Sequence, residues 1–315
     1  MEVLLAAIVT LLHIGLCLLG APLLGGIIDA LRARMRGQRG PSLKQPYRHL
    51  IRLFGKASLM PDTATDMFTV WPLLTFLAWA VVVMLIPGFC TGMLTAGASD
   101  YVSVIGLFVL GRAATMLGGL EAGTAFGGMG VTRMALRGLG VEATLLVLLL
   151  VFASLTGHTN LNEMALAFGG GHVGGLVAMG FALAAMLLIA VIAICDQPAT
   201  GQELAMVQSA MKLEYSGRQL ALLDYADMLG RLAWMNLVIC IFIPFGMARA
   251  QAILSWPGGL VLWAVKLLGL CVGLAIFTSM RTETRLFRVP VALGLSLGLS
   301  LLASMLLMVV IRAGA

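Results

Sequence analysis

Few residues in this chain can move a proton or hold an ion. Of 315 residues, 14 are acidic and four are histidine. Glu142 stands immediately before the apolar run ATLLVLLLVFASL. A carboxylate there must face the interior of a helix bundle, because lipid cannot solvate it. Burial disfavours the charged form, which suits such a group to take up and release protons. The alternative is a helix-start carboxylate held by the positive end of a helix dipole. Asp196, Glu203 and Glu214 follow at intervals that return to nearly one face of a helix. Pro198 and Gly201 interrupt the first interval, so the stripe is firmest for Glu203 and Glu214. The alternative is a solvated loop face, against which the interleaved Leu204, Met206, Val207, Met211 and Leu213 argue.

Redox chemistry within the chain is not expected. The five cysteines (Cys17, Cys90, Cys195, Cys240, Cys271) contain no CxxC pair and read as small buried apolar residues. Iron–sulfur clusters and NiFe centres need clustered thiolates. The four histidines are dispersed, so no haem or zinc site is expected. The glycines of LEAGTAFGGMGVTRMALRGLGVE permit a bent, closely packed backbone. They follow no strand and lack the GxxxxGK pattern, so they are not a phosphate loop.

The elements that must position these residues follow from composition. Hydrophobic residues make up 60% of the chain, charged residues 11%, and mean hydropathy is +1.02. A soluble domain carries about 25% charged residues. An ordinary soluble enzyme, a disordered chain and a disulfide scaffold are thereby excluded, and one polytopic membrane domain over 1–315 is expected. Eight apolar segments are long enough to span: roughly 3–28, 70–90, 99–118, 138–157, 174–195, 231–250, 258–280 and 289–311. None alternates with period two, so the spans are helices, whose backbones are satisfied internally. The first is too long and too acidic at its start for a cleaved signal peptide.

The net charge of +6 is distributed as a topology signal rather than a nucleic-acid patch. Most of the 20 basic residues fall in alternate connections. Arg32 to Lys56 lie between segments 1 and 2. Arg112, Arg133 and Arg137 lie at the next such connection, then Lys212, Arg218 and Arg231, then Arg281, Arg285 and Arg288. Those connections (about 29–69, 119–137, 196–230 and 281–288) are expected to be cytoplasmic, with both termini outside. Within the first, QPYRHLIRLFGK places Tyr47, Leu50, Ile51 and Phe54 at helical spacing beside Arg48, Arg52 and Lys56. This predicts an amphipathic helix on the membrane surface, serving as a lipid anchor or a docking surface.

Four stretches carry a family resemblance. RARMRGQRGPSLKQPYRHLIRLFGK resembles the RARxxxRRGPxxxQxYRDIxKL stretch of the membrane subunit of formate hydrogenlyase and hydrogenase 4. That subunit is homologous to the quinone-site membrane subunit of respiratory complex I (subunit 1). GLEAGTAFGGMGVTRMALRGLGVEATLLV, GHTNLNEM and QEL…LEYSG resemble further motifs of the family, in the same order. The resemblance implies an all-α integral membrane bundle of eight transmembrane helices, of the complex I subunit 1 type, with long cytoplasmic loops. It makes Glu142, Glu203 and Glu214, with Asp196, candidates for proton or ion coupling. Arg36, Arg39, Gly40, Pro41, Tyr47, Arg48 and Arg133 become candidates for subunit docking. The sequence departs from the family where Met134 replaces a glutamate, and CDQPATGQEL holds fewer acids than its counterpart. Both departures thin the acidic route.

The resemblance implies a prokaryotic plasma-membrane subunit that anchors a nickel–iron hydrogenase and couples its chemistry to ion movement. Hydrogenase large and small subunits, a ferredoxin-like Fe–S subunit and antiporter-like membrane subunits would be its partners. The NiFe centre and Fe–S clusters would sit on those partners. The alternative is a quinone-binding subunit of a complex I-like NADH dehydrogenase. A stand-alone secondary transporter is a third reading; it predicts an internal inverted repeat, which the sequence lacks.

Overall fold

The computed structural model describes residues 2–61, 64–170, 176–195, 210–280 and 288–314. The helices, numbered in chain order, are α1 (Glu2–Met35), α2 (Gln45–Phe54), α3 (Met67–Leu85), α4 (Tyr101–Glu121) and α5 (Ala125–Thr156). They continue as α6 (Leu161–Gly169), α7 (Leu176–Cys195), α8 (Gly217–Phe242), α9 (Trp256–Met280) and α10 (Arg288–Gly314). Among the described residues, 7 helices are long and apolar enough to cross a membrane. The eighth expected span, 174–195, is the helix α7, whose apolar stretch Val177–Ala193 is shorter than the other seven. The chain is a multi-pass membrane protein.

Helix α8 is the centre of the bundle. It is buried along most of its length and contacts α1, α2, α3, α7 and α9. Small residues let large ones reach it. A Cβ on Gly111 of α4 would stand 3.0 Å from Trp79 Nε1, and one on Gly230 of α8 would stand 3.4 Å from the same ring. Trp79 and Trp234 both pack on Phe108. Exposed Leu, Val and Met side chains cover the outside of α1, α5, α9 and α10, as expected for surfaces solvated by lipid.

Several boundaries differ from the sequence expectation. The segment expected at 231–250 is the helix Gly217–Phe242. Pro244 forces Ile243 out of helical geometry, and Gly246, at φ 75°, turns the chain. At the other end, the helix begins well inside the connection expected at 196–230, so Asp224, Asp227 and Arg231 lie on it. The connection expected at 119–137 reduces to residues 122–124, because α5 starts at Ala125, capped by the Thr124 hydroxyl. Of the glycine-rich stretch, Gly123, at φ 65°, bends the chain between α4 and α5, while Gly127, Gly128 and Gly130 lie within the helix. A Cβ on Gly127 would fall 2.4 Å from the Gly119 carbonyl oxygen, so only glycine lets α5 start against the end of α4. The expected amphipathic helix is α2, although its protein-facing side is Leu50 and Leu53. Ile51 and Phe54 are exposed.

One end of the bundle carries α2 and the basic stretch 32–56; the other is closed by short polar devices. There, strand Cys90–Thr91 pairs in parallel with Ala248–Arg249. The Asn160 side chain caps α6 and donates to the Ala96 carbonyl (2.8 Å), while Asn162 Oδ1 accepts from Gly92 N (2.9 Å). The GHTNLNEM motif thus tightens this end. Lys266, inside α9, donates to the Ile243 (2.7 Å) and Phe245 carbonyls, which the end of α8 leaves unpaired.

Candidate functional site

The structure brings charged groups together in two places. In the first, Arg112 of α4 lies 3.3 Å from Glu142 of α5, with both side chains largely buried. Helix α5 starts at Ala125, so Glu142 lies ~25 Å along its axis. That excludes the helix-start reading. It also corrects the picture of an isolated carboxylate, because Glu142 has a cationic partner. Arg112, counted with the connections in the sequence, sits mid-helix. Gly138, one turn before Glu142, makes the room: a Cβ there would lie 3.6 Å from both Arg112 Nη1 and Glu142 Oε1.

The second place lies at the basic end, where α1, α2 and α8 meet around a cavity of about 300 Å³. Asp224, Asp227 and Arg231 stand at helical spacing on α8 and turn one face toward it. Lys212, just before α8, is buried and donates to Asp224 Oδ1 (3.1 Å), to the Leu223 carbonyl (3.3 Å) and to Asp227. Burial works against its ammonium, but Asp227 and Asp224 outweigh that and hold its pKa above the ordinary lysine range. Asp224 also meets His49 Nε2 of α2 at 3.2 Å. Asp29 of α1 completes the wall, 4.0 Å from Arg32, and Arg231 acts electrostatically on both Asp29 and Asp227. Asp29 Oδ1 and Arg231 Nε are buried without a hydrogen-bond partner among the described residues. The cavity is polar and has room for water that would satisfy them.

The predicted site residues divide. Glu142 is in the first site. Asp196 and Glu203 lie outside the described residues. Glu214 lies two residues from Lys212 in the turn before α8, partly buried, and does not line the cavity. Pro41 lines it. Gly40 lets the 39–43 segment fold back onto α1, since a Cβ there would stand 2.9 Å from the Ala30 carbonyl oxygen. Tyr47 donates from its hydroxyl to the Leu19 carbonyl and ties α2 to α1. Arg36, Arg39, Arg48 and Arg133 are exposed. Met134 is buried, so the position where the resemblance leads one to expect a glutamate is apolar core. Sequence reasoning missed Asp29, Asp224 and Asp227 as site residues and read Lys212 and Arg231 only as topology markers. The i, i+3, i+7 pattern of 224, 227 and 231 was the available signal.

Among the described residues no group of three or more His, Cys, Asp or Glu side chains could hold a metal ion. A quinone ring would find donors in His49, Arg52 and Arg231, but also three carboxylates and no aromatic wall. Among the described residues, that lining is more polar than apolar in its side chains.

Buried charges inside an apolar bundle define the class: a helical membrane protein with polar sites in its interior. The family is equally plain. The NADH dehydrogenase family model matches residues 7–312, and the chain belongs to that family, the complex I subunit 1 type. It is similar to hydrogenase-4 component C of Escherichia coli (strain K12), 31% identical over 251 residues and 78% of each chain. It is also similar to formate hydrogenlyase subunit 4 of the same organism, 27% identical over 267 residues, 84% of this chain and 87% of that one. Its fold is shared with a chain of the membrane-bound sulfane sulfur reductase, an archaeal respiratory membrane complex. That match has a TM-score of 0.77 at 18% identity and covers 98% of this chain and 100% of the other.

Proposed function

We propose that this chain is the membrane anchor and coupling subunit of a multisubunit nickel–iron hydrogenase complex of the formate hydrogenlyase kind. The observation that carries this reading is the similarity to two such subunits over most of both chains. The geometry supports it. The basic end presents Arg36, Arg48 and Arg133 to solvent, suited to docking soluble redox subunits, with Arg39 at the edge of that surface. Behind that surface lies the charged cavity under α2. Deeper, Arg112–Glu142 offers a protonatable pair inside the bundle.

In this reading the protein spans the plasma membrane of a prokaryote eight times, α7 included, with the basic end cytoplasmic and both termini outside. NiFe and Fe–S centres belong to hydrogenase large and small subunits and a ferredoxin-like subunit. Antiporter-like membrane subunits flank the bundle. This chain's share of the work is to position those partners and to pass a change in charge or proton occupancy into the bundle. His49 and Asp224 join α2, which the partners would touch, to the buried carboxylate Asp227 through Lys212. Asp196, Glu203 and Glu214 remain candidates for the continuation of that route.

The test is affinity purification of the chain from membranes in detergent, with the co-purifying subunits identified and assayed for nickel and hydrogen evolution. Nickel and hydrogenase subunits are expected. Co-purification with NADH-oxidising subunits and no nickel would overturn this reading in favour of the complex I-like alternative.

A further inference from the structure

On the far side of the 38–43 turn from the charged cavity lies a larger one of about 750 Å³. It runs along the α1 face formed by Ile27, Ala30, Leu31 and Arg34. That face covers ~10 Å of helix axis. Its two ends differ in chemistry. Arg34, Gln38 and Arg39 form the mouth, at the end of α1 where the chain leaves the apolar bundle. Ile27, Leu31, Leu43 and Leu268 form the floor. Leu43 and Leu268 are both substantially exposed, so the floor opens sideways onto the surface that lipid covers. Among the described residues no acceptor pairs with Arg34 or Arg39, whereas Arg32, two residues away, is buried and donates to Thr278 (2.9 Å).

We infer that this cavity is a binding site for one anionic phospholipid of the leaflet at the basic end. The two guanidiniums receive the phosphodiester, and the first part of an acyl chain lies on Leu31 and Leu268. Guanidinium is the side chain best matched to phosphate oxygens, with paired N–H donors in a planar fork. Basic pockets between helices at the membrane surface select anionic headgroups, and the neighbouring apolar floor separates a lipid from free phosphate. The cavity volume lies within the range of small-molecule sites. The bound lipid would fill the space beside the re-entrant segment 39–43 and brace it against α1. Because the same segment walls the charged cavity, the lipid would steady that site from behind. The inference does not depend on the identity of the redox partners.

The test uses the full chain in nanodiscs of phosphatidylethanolamine with a minor share of phosphatidylglycerol, released into native mass spectrometry. One tightly retained phosphatidylglycerol per chain is expected. Arg34→Gln with Arg39→Gln should weaken its retention about tenfold or more, while Lys44→Gln with Lys56→Gln, an equal loss of charge nearby, should not. Leu268→Trp fills the floor without touching the charges and should also expel the lipid, which keeps the inference testable if the arginine variant folds poorly. Millimolar inorganic phosphate should not displace it. The inference is overturned if phosphatidylethanolamine is retained equally, or if the lysine control loses the lipid as readily. Displacement by phosphate with Leu268→Trp silent would mean an anion site only. If the arginine variant keeps the lipid, the inference fails.

Discussion

Arg112–Glu142 and the Lys212 cluster both hold charge inside the bundle, and they are built differently. The first joins two neighbouring helices, α4 and α5, through Arg112 and Glu142, with Arg137 close enough to act electrostatically on Arg112. The second draws on α1, α2, α8 and the turn before α8, with three carboxylates that line a cavity and have Lys212, Arg231 and Arg32 beside them. Losing the Glu142 charge leaves Arg112 buried without its carboxylate, so the two charge states of that site differ greatly in energy. A network with a cavity has neighbouring charges and water to share the change. The deep pair is therefore the firmer switch, and the cluster at the basic end is the more adaptable receiver, open to α2 through His49.

This contrast is open to experiment. The largest effect should come from Asp227→Leu, which leaves buried Lys212 with Asp224 alone and should cost ~3–5 kcal/mol in thermal unfolding of the detergent-solubilised protein. Adding Lys212→Met should restore most of it; no restoration would mean that the two groups do not act as a pair. Next, Glu142→Gln should leave the complex assembled but reduce proton translocation coupled to hydrogen evolution by about tenfold or more. Unchanged translocation would reduce the pair to a packing device. Gly127→Ala should cost ~1–3 kcal/mol, because its methyl would meet the Gly119 carbonyl and push α5 from α4. The smallest effect should be pH-dependent. Lys212's pKa is raised in the folded protein, so its stabilisation is complete below the ordinary lysine value of 10.5 and is lost only as pH rises past the elevated one. Alkaline titration of the melting temperature should show a step there that Lys212→Met abolishes.

Legibility varied by element. The apolar spans were readable because a lipid-facing helix must be apolar over a fixed length, and α2 because its spacing and charge repeat every turn. Helix α8 was placed late because the reading looked for apolarity. A helix surrounded by protein can carry Asp224, Asp227 and Arg231, provided that neighbours neutralise them. The α4–α5 connection was read too long for the opposite reason. Glycines suggested a bend, yet Gly127 serves close packing within a helix. Of the candidate coupling residues, Glu142 was legible as a candidate because it stood alone against an apolar run. Asp29 was not, because it sits among arginines that look like ordinary loop charge.

Composition and charge order by themselves determined that the chain is a helical membrane protein, where most spans lie, and which end carries the basic surface. These follow from the solvent, since lipid penalises every exposed polar group regardless of how the helices are arranged. Only the tertiary structure decided which charges meet. Arg112 and Glu142 are brought together by the packing of α4 on α5, and Lys212, Asp224, Asp227 and His49 by the seating of α2 on α8. Coulomb attraction falls with distance and rises with burial, and both are properties of packed helices that no spacing along one helix contains.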